Sequence, residues 1–171
     1  LHAVQTQSYG AEARGSAAKS EVIISDQTIG FPMVRKCDVL VAMSQTALDK
    51  HLTELKENGT LIVDDDIVKN IPGFTGRICK VPATSTAESK LKSKMYANII
   101  VLGALARIAS WIKKETVEKA IADTVPKSAK IKNIEGFKIG YELVSKKSKP
   151  SSSSAESFKE TRAEQSVDST P

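Results

Sequence analysis

The densest group of side chains that could take part in chemistry lies near the N-terminus, in the segment SYGAEARGSAAKS at residues 8–20. Glu12 and Arg14 can pair with each other or with an anionic ligand, because a guanidinium group binds phosphate or carboxylate through paired hydrogen bonds. Tyr9 adds an apolar ring with a hydroxyl group.

Ser8, Gly10 and Gly15 belong to a predicted loop, in which the glycines permit turns that other residues resist. Ser16 and Lys19 supply further hydrogen-bond donors. The segment is either an anion site or a structural loop closed by its own Glu–Arg pair, and physical reasoning alone favours neither.

The remainder of the chain has little catalytic apparatus. The histidines, His2 and His51, are isolated, and His51 is predicted to lie on the surface of a charged helix. No HExxH, GxSxG or GxxxxGK[ST] motif occurs. The acidic run Asp64-Asp65-Asp66 could hold a divalent cation, but consecutive side chains on an extended strand point in alternating directions. We therefore expect a solvated strand end there, and no metal site.

The two cysteines, Cys37 and Cys79, do not form a CxxC pair. Two thiols are too few for a zinc ribbon or an iron–sulfur cluster, so this chain alone is not expected to bind either. Cys37 precedes an apolar stretch and Cys79 lies inside one. We expect both to be buried, reduced thiols in a cytoplasmic protein.

Composition also bears on the partners of the chain. The formal net charge is +5 over 171 residues, but the basic residues are interleaved with acids, and the densest basic cluster lies beside a Ser-rich tail, at Lys146, Lys147 and Lys149. Such mixed charge is typical of a solvated surface, so nucleic-acid binding is not expected.

No stretch reaches the roughly 18–20 apolar residues that span a bilayer. Membrane association is not expected either.

Apolar runs and turn residues predict strands at residues 2–6, 17–25, 38–43, 60–63 and 77–81. A loop is predicted at residues 7–15. Ser44 is placed to cap a helix at residues 45–57, which Asn58-Gly59 would close. This order predicts an α/β fold with a three-layer, open, mostly parallel or mixed sheet and helices on both faces. Ser44 and Asp64–Asp66 would then lie at the carboxyl ends of the strands, where such sheets bind ligands.

The C-terminal half is predicted to be helical, with helices at residues 87–113, 115–125 and 134–146. From Ser148 onward the sequence has no core-forming pattern. We expect one domain over residues 1–148 and a disordered Ser-rich tail over residues 149–171.

Several motifs follow one another in a defined order along roughly residues 1–145. SYGAEARG precedes a strand that ends in Ile24-Ser25. The motifs that follow it are, in order, DVLVAMSQTALDKHL, GTLIVDDDIV, VPAT at 81–84, Asn98 with LGAL at 102–105, and residues 132–143. In combination they resemble the gamma subunit, or gamma domain, of the 2-oxoacid:ferredoxin oxidoreductases. Thr6-Gln7 stands where other branches tend to have Phe-Pro, and is more similar to the 2-oxoglutarate branch.

The chain departs from this family at three places. The family normally opens with a strand, a GxGGQG loop and a helix, and this unit is absent here. Because the first residue is Leu1 and not Met, we expect that the chain begins inside a longer reading frame, or was processed or truncated. Ser16-Ala17 replaces a further Gly and a small residue, and the Ser-rich tail is not a family feature.

The resemblance implies a complex that oxidatively decarboxylates 2-oxoglutarate to succinyl-CoA and reduces ferredoxin. Thiamine diphosphate, Mg²⁺, the iron–sulfur clusters and coenzyme A would belong to the complex, and this chain would bind none of them alone. Its partners would be alpha and beta subunits, with a delta subunit as a further candidate, and ferredoxin through the complex. The chain itself would be a non-redox subunit, in which Tyr9, Glu12 and Arg14 face a partner or its cofactor near the coenzyme A and active-site entrance.

Three alternatives remain open from the sequence. The chain could serve a complex that uses pyruvate, branched-chain oxoacids or arylpyruvates, because substrate choice is set mainly outside the gamma part. It could be a stand-alone nucleotide-binding α/β protein, although no phosphate-binding loop is visible. It could also be an interaction protein that uses its Ser-rich tail.

Overall fold

The strands fall into two sheets in the computed structural model, which describes residues 1–9, 18–109 and 111–144. The strands of the described residues are β1 His2–Tyr9, β2 Ala18–Ser25, β3 Cys37–Ala42, β4 Leu55–Asp64 and β5 Arg77–Val81. The helices are α1 Gln45–His51, α2 Ala83–Leu91, α3 Ala97–Ile108, α4 Lys114–Thr124 and α5 Lys130–Leu143. Short 3₁₀ helices occur at Leu52–Glu54, Lys94–Tyr96 and Lys127–Ala129.

The larger sheet is parallel, with the strand order β3-β4-β5. Its central strand, β4, is buried on both faces because alternate side chains enter different cores. Ile62 packs with α2 and α3 on one face, whereas Leu61 and Val63 pack with Leu48 of α1 on the other. The predicted α/β fold, with helices on both faces of a parallel sheet, is confirmed.

The smaller sheet is an antiparallel pair of β1 and β2, in which Tyr9 lies opposite Ala18 and His2 lies opposite Ser25. The sequence predicts a single open sheet, but the described residues form two. The side chains of β2 alternate between exposed and half-buried along its whole length. Such alternation is typical of a strand with one face toward the protein and one toward solvent.

The helix predicted at residues 45–57 is too long. Ser44 caps it as expected, since its Oγ accepts a hydrogen bond from the amide of Ala47 at 3.1 Å, but α1 ends at His51. Leu55 already pairs with Cys37 as part of β4. Gly59 therefore does not close a helix and instead lies inside the strand. A Cβ there would come within 3.0 Å of the Asp38 carbonyl oxygen, so glycine permits the close approach of β3 to β4.

The single helix predicted at residues 87–113 is divided in two. Lys92 ends α2 in the left-handed conformation, with φ of 61°, and a 3₁₀ turn precedes α3. The second predicted helix corresponds to α4. The third begins four residues earlier than predicted, at Lys130, and packs closely on α3, because Gly103 and Gly140 bring the two backbones into contact. Lys146, Lys147, Lys149 and the predicted disordered tail lie outside the described residues.

None of the helices in the described ranges combines the length and apolar character needed to cross a membrane.

Candidate functional site

Residues 10–17, which belong to the segment SYGAEARGSAAKS, connect β1 to β2, and we call them the connecting segment. Gly10, Glu12, Arg14 and Gly15 lie outside the described residues, as does the side chain of Tyr9. The strands that carry the segment are described, and the predicted loop start at Gln7 is wrong because β1 continues to Tyr9. Ser8, predicted as a loop residue, is paired in the strand opposite Lys19. Cross-strand pairing overrides the polar character of these residues, which suggested a loop.

Lys19 is the centre of an ion-pair network at the base of this segment. Its ammonium group lies 2.9 Å from a carboxylate oxygen of Glu21 and 2.8 Å from one of Glu54. These two carboxylates raise the pKa of Lys19, Glu54 more than Glu21. Lys19 is a hydrogen-bond donor, as expected, and its charge is already neutralised within the chain by these two carboxylates.

Glu54 extends this network away from the ribbon formed by β1 and β2. Its second oxygen lies 2.9 Å from Nδ1 of His51. Lys19 lowers the pKa of Glu54, and His51 adds to the effect. The His51 side chain is only 16% exposed, so the expectation of a simple surface histidine is wrong. The network therefore fixes the ribbon against the segment that follows α1.

A cavity of about 240 Å³ opens beside the network. It is lined by residues of β1, β2 and the loop before β3: Thr6, Gln7, Ser8, Lys19, Glu21, Pro32 and Met33. Thr6 donates its hydroxyl hydrogen to Glu21 at 3.2 Å. The lining offers hydroxyl, amide, ammonium and carboxylate groups but no cysteine or histidine. It can therefore bind and orient a polar group, and it does not contain a nucleophile paired with a base.

Sequence reasoning missed Glu21 and Glu54 as members of this site. Glu21 could have been found, because residues two apart on a strand share a face and Lys19 is two residues before it. Glu54 gave no such signal, since its contact with Lys19 spans 35 residues and depends on how the ribbon packs.

The carboxyl ends of β3 and β4 are the second place where the sequence predicted polar groups together. Asp64 is fully buried, which contradicts the expected solvated strand end. Its Oδ1 accepts hydrogen bonds from the amides of Ala83 and Thr84 at 3.2 and 3.4 Å, and its Oδ2 accepts one from the Thr84 hydroxyl at 2.5 Å. Pro82, the N-cap residue of α2, makes no side-chain cap. Asp64 supplies that cap from the neighbouring strand.

The other two carboxylates of the acidic run have separate partners. Asp66 accepts a hydrogen bond from the amide of Ser85 at 2.6 Å, which is the main reason that its pKa is lowered. Asp65 lies 3.3 Å from the Lys80 ammonium group. Among the residues that the structure describes, no group of three His, Cys, Asp or Glu side chains is arranged to hold a metal ion.

Both cysteines are free thiols. Cys79 is buried in β5, as expected, whereas Cys37 is only half-buried at the start of β3. Burial raises the pKa of each thiol, so neither is activated as a nucleophile.

Comparison with known proteins covers almost the whole described chain. The sequence model of one family, described as Pyruvate ferredoxin/flavodoxin oxidoreductase, matches residues 1–143. The 2-oxoglutarate synthase subunit KorC of Methanocaldococcus jannaschii is 49% identical over 143 residues, which are 82% of this chain and 76% of that protein. The pyruvate synthase subunit PorC of Thermotoga maritima is 33% identical over 146 residues, which are 80% of this chain and 76% of that protein.

A solved structure has the same fold. The gamma subunit of keto/oxoacid ferredoxin oxidoreductase from Geobacter sulfurreducens superimposes with a TM-score of 0.71 at 39% sequence identity. The match covers 82% of this chain and 78% of that subunit.

Proposed function

The chain belongs to the pyruvate ferredoxin/flavodoxin oxidoreductase family, as a gamma-type subunit, and on this basis we propose that it serves a complex that oxidises 2-oxoglutarate. The observation that carries the choice of substrate is the 49% identity to a protein named as a 2-oxoglutarate synthase subunit, against 33% to one named as a pyruvate synthase subunit. In the proposed reaction the bond between the carboxyl and oxo carbons breaks and carbon dioxide leaves. The succinyl group forms a thioester with coenzyme A, and two electrons pass to ferredoxin.

The residues of this chain do not fit the redox cofactors of such a reaction. Iron–sulfur clusters are held by sets of cysteine thiolates, and here Cys37 and Cys79 lie on β3 and β5, on opposite sides of β4. The described residues also contain no group of three His, Cys, Asp or Glu side chains that could hold a metal ion. We therefore assign the redox and decarboxylation chemistry to other subunits and derive no step from this chain.

The proposed contribution of the chain is to bind and orient. The connecting segment with Tyr9, Glu12 and Arg14 would face a partner subunit or coenzyme A near the active-site entrance. Because the Lys19 ammonium group is held by two carboxylates, we assign the contact with an anionic group to Arg14. The Lys19 network would hold the start of β2, which follows the segment, in position, and such positioning can contribute substantially to a rate.

The test is reconstitution of the complex with variants of this chain. Arg14→Ala is expected to raise the KM for coenzyme A about tenfold with little change in kcat, as for the loss of one charge-assisted contact in binding. Arg35→Ala is the matched control, since Arg35 is an exposed arginine outside the network. If Arg14→Ala left both assembly and the KM for coenzyme A unchanged, the proposed contact between this segment and a partner or coenzyme A would be contradicted.

A complex that lacks this chain tests the broader proposal. We expect it to lose oxoacid-dependent reduction of ferredoxin and to regain it when the chain is added. Full activity without the chain would contradict the proposed function.

A further inference from the structure

Two large apolar side chains are exposed on two elements of the helical half that contact each other. Met95 is 83% exposed on the 3₁₀ turn Lys94–Tyr96, and Ile131 is 80% exposed in the first turn of α5. The two elements are joined by Lys132, whose ammonium group donates to the Leu91 carbonyl oxygen at 3.4 Å and lies 5.8 Å from the centre of the Tyr96 ring. Met95 and Ile131 are the chain neighbours of Tyr96 and Lys132, so the two exposed side chains lie on elements that contact each other.

This surface is strongly basic. Residues 90–94 and 127–132 contain six lysines and no acidic residue: Lys90, Lys92, Lys94, Lys127, Lys130 and Lys132. Within the described part of the chain, one of the six forms an ion pair, between Lys94 and Glu88 at 3.6 Å, and both of these side chains are largely exposed. We call the exposed group Lys92, Lys94, Met95, Ile131 and Lys132 the lysine-rimmed surface.

Three local features of this surface lower the stability of the free chain. Lys92 has a positive φ of 61°, a conformation that disfavours side chains other than those of glycine and asparagine. The first turn of α5 has no acidic residue, and its lysines oppose the helix dipole. Met95 and Ile131 expose apolar area to water. Departures from local preference that coincide at one place are typical of a functional surface.

We propose that the lysine-rimmed surface docks onto an acidic surface of another subunit of the oxidoreductase, with Met95 and Ile131 at the centre of the contact and the lysines on its rim. This inference rests on the proposed function, which makes the chain part of a complex. An apolar centre with a polar, solvent-accessible rim is the usual anatomy of a protein–protein interface. The charge of the rim requires an acidic partner.

The surface is less suited to nucleic acid. Single-stranded nucleic acid is usually bound by exposed aromatic rings on which bases stack. The aromatic residue here, Tyr96, is half-buried and has Lys132 over its ring. All six cations are lysines, which lack the paired donors of arginine.

The test measures the rates at which the full chain associates with the remaining subunits, purified without it. The double variant Lys92→Gly, Lys94→Gln removes two rim charges. It should associate about tenfold more slowly at low salt, with a weaker salt dependence of the association rate. Replacing the centre, in Met95→Ser with Ile131→Ser, should raise the dissociation rate about tenfold and leave the association rate nearly unchanged. Lys119→Gln, on the exposed face of α4, is the control and should change neither rate.

A separate readout distinguishes weak docking from poor folding. Lys92→Gly relieves the left-handed strain, so its thermal midpoint should equal or exceed that of the wild type while its association slows. Rates equal to wild type in both double variants, with an active complex, would overturn this inference and leave the proposed function intact. Failure of even the wild-type chain to associate would overturn both. The inference would also be overturned if the wild-type chain bound an RNA or single-stranded DNA oligonucleotide, and the lysine variant lost this binding while its docking to the other subunits was unchanged.

Discussion

Asp64 offers the most direct test of how the sheet and the first helix of the C-terminal half are joined. Its carboxylate is fully buried at the end of β4 and accepts hydrogen bonds from Ala83, Thr84 and the amide of Asp66. Asp64→Ala leaves the first amides of α2 without their cap and leaves the Thr84 hydroxyl without its acceptor. Loss of an N-cap costs about 0.5–2 kcal/mol, and each buried donor left unpaired adds about 1–3 kcal/mol before relaxation.

These contributions are not additive, because the same donors are counted in both. We therefore expect Asp64→Ala to lower the free energy of unfolding by about 3 kcal/mol, and the melting temperature by about 10 °C. Asp64→Asn keeps Oδ1 for the backbone amides, and the Thr84 hydroxyl can turn to accept from the new amide group. Its cost should be about 1 kcal/mol.

Urea unfolding of the purified chain, followed by circular dichroism, measures these differences. Asp65→Ala is the matched control, because Asp65 is partly exposed and its contact with Lys80 at 3.3 Å is a surface ion pair, worth about 0–1 kcal/mol. If Asp64→Ala were no more destabilising than Asp65→Ala, Asp64 would not be the cap of α2.

Two further predictions concern packing and pH. Gly140→Ala should lower the free energy of unfolding by about 3 kcal/mol, because the new Cβ would overlap the Ile100 carbonyl of α3. Gly30→Ala is the control, since no atom lies within 4 Å of a Cβ at that position, and it should have little effect on urea unfolding. The lowered pKa of Glu54 means that its pairing stabilises the fold above the ordinary pKa of a glutamate and is lost as the pH falls through the lowered value. Thermal midpoints measured on acidification should therefore fall more for the wild type than for Glu54→Gln, and parallel curves would contradict a stabilising role for its contact with Lys19.

Much of the fold follows from local sequence. The β-branched and apolar runs locate β3, the buried part of β4 and β5, since such runs suit strands that are covered on both faces. Ser44 was identified as a cap because its position before a helical pattern is sufficient to define that role. These features depend on near neighbours in the chain.

The errors arise where tertiary contacts override local preference. Leu55 fits the apolar face of a helix, but its pairing with Cys37 places it in β4. Lys92 has no sequence signal for a helix end, because glycine or asparagine is expected at a left-handed position. The site was only partly predictable for the same reason. Ser8 and Lys19 flank a recognisable segment, whereas the contact between Lys19 and Glu54 depends on how two separate elements pack.

The role proposed for this chain is that of the gamma subunit in a complex that acts on 2-oxoglutarate. The most direct measurement is kcat/KM for ferredoxin reduction by the complex purified through a tag on this chain, with 2-oxoglutarate, pyruvate, a branched-chain oxoacid and an arylpyruvate compared under the same conditions. We predict that 2-oxoglutarate gives the highest value and that activity requires coenzyme A. A higher value for pyruvate, a branched-chain oxoacid or an arylpyruvate would contradict this proposed role, as would a tagged chain that carries no oxoacid-dependent activity.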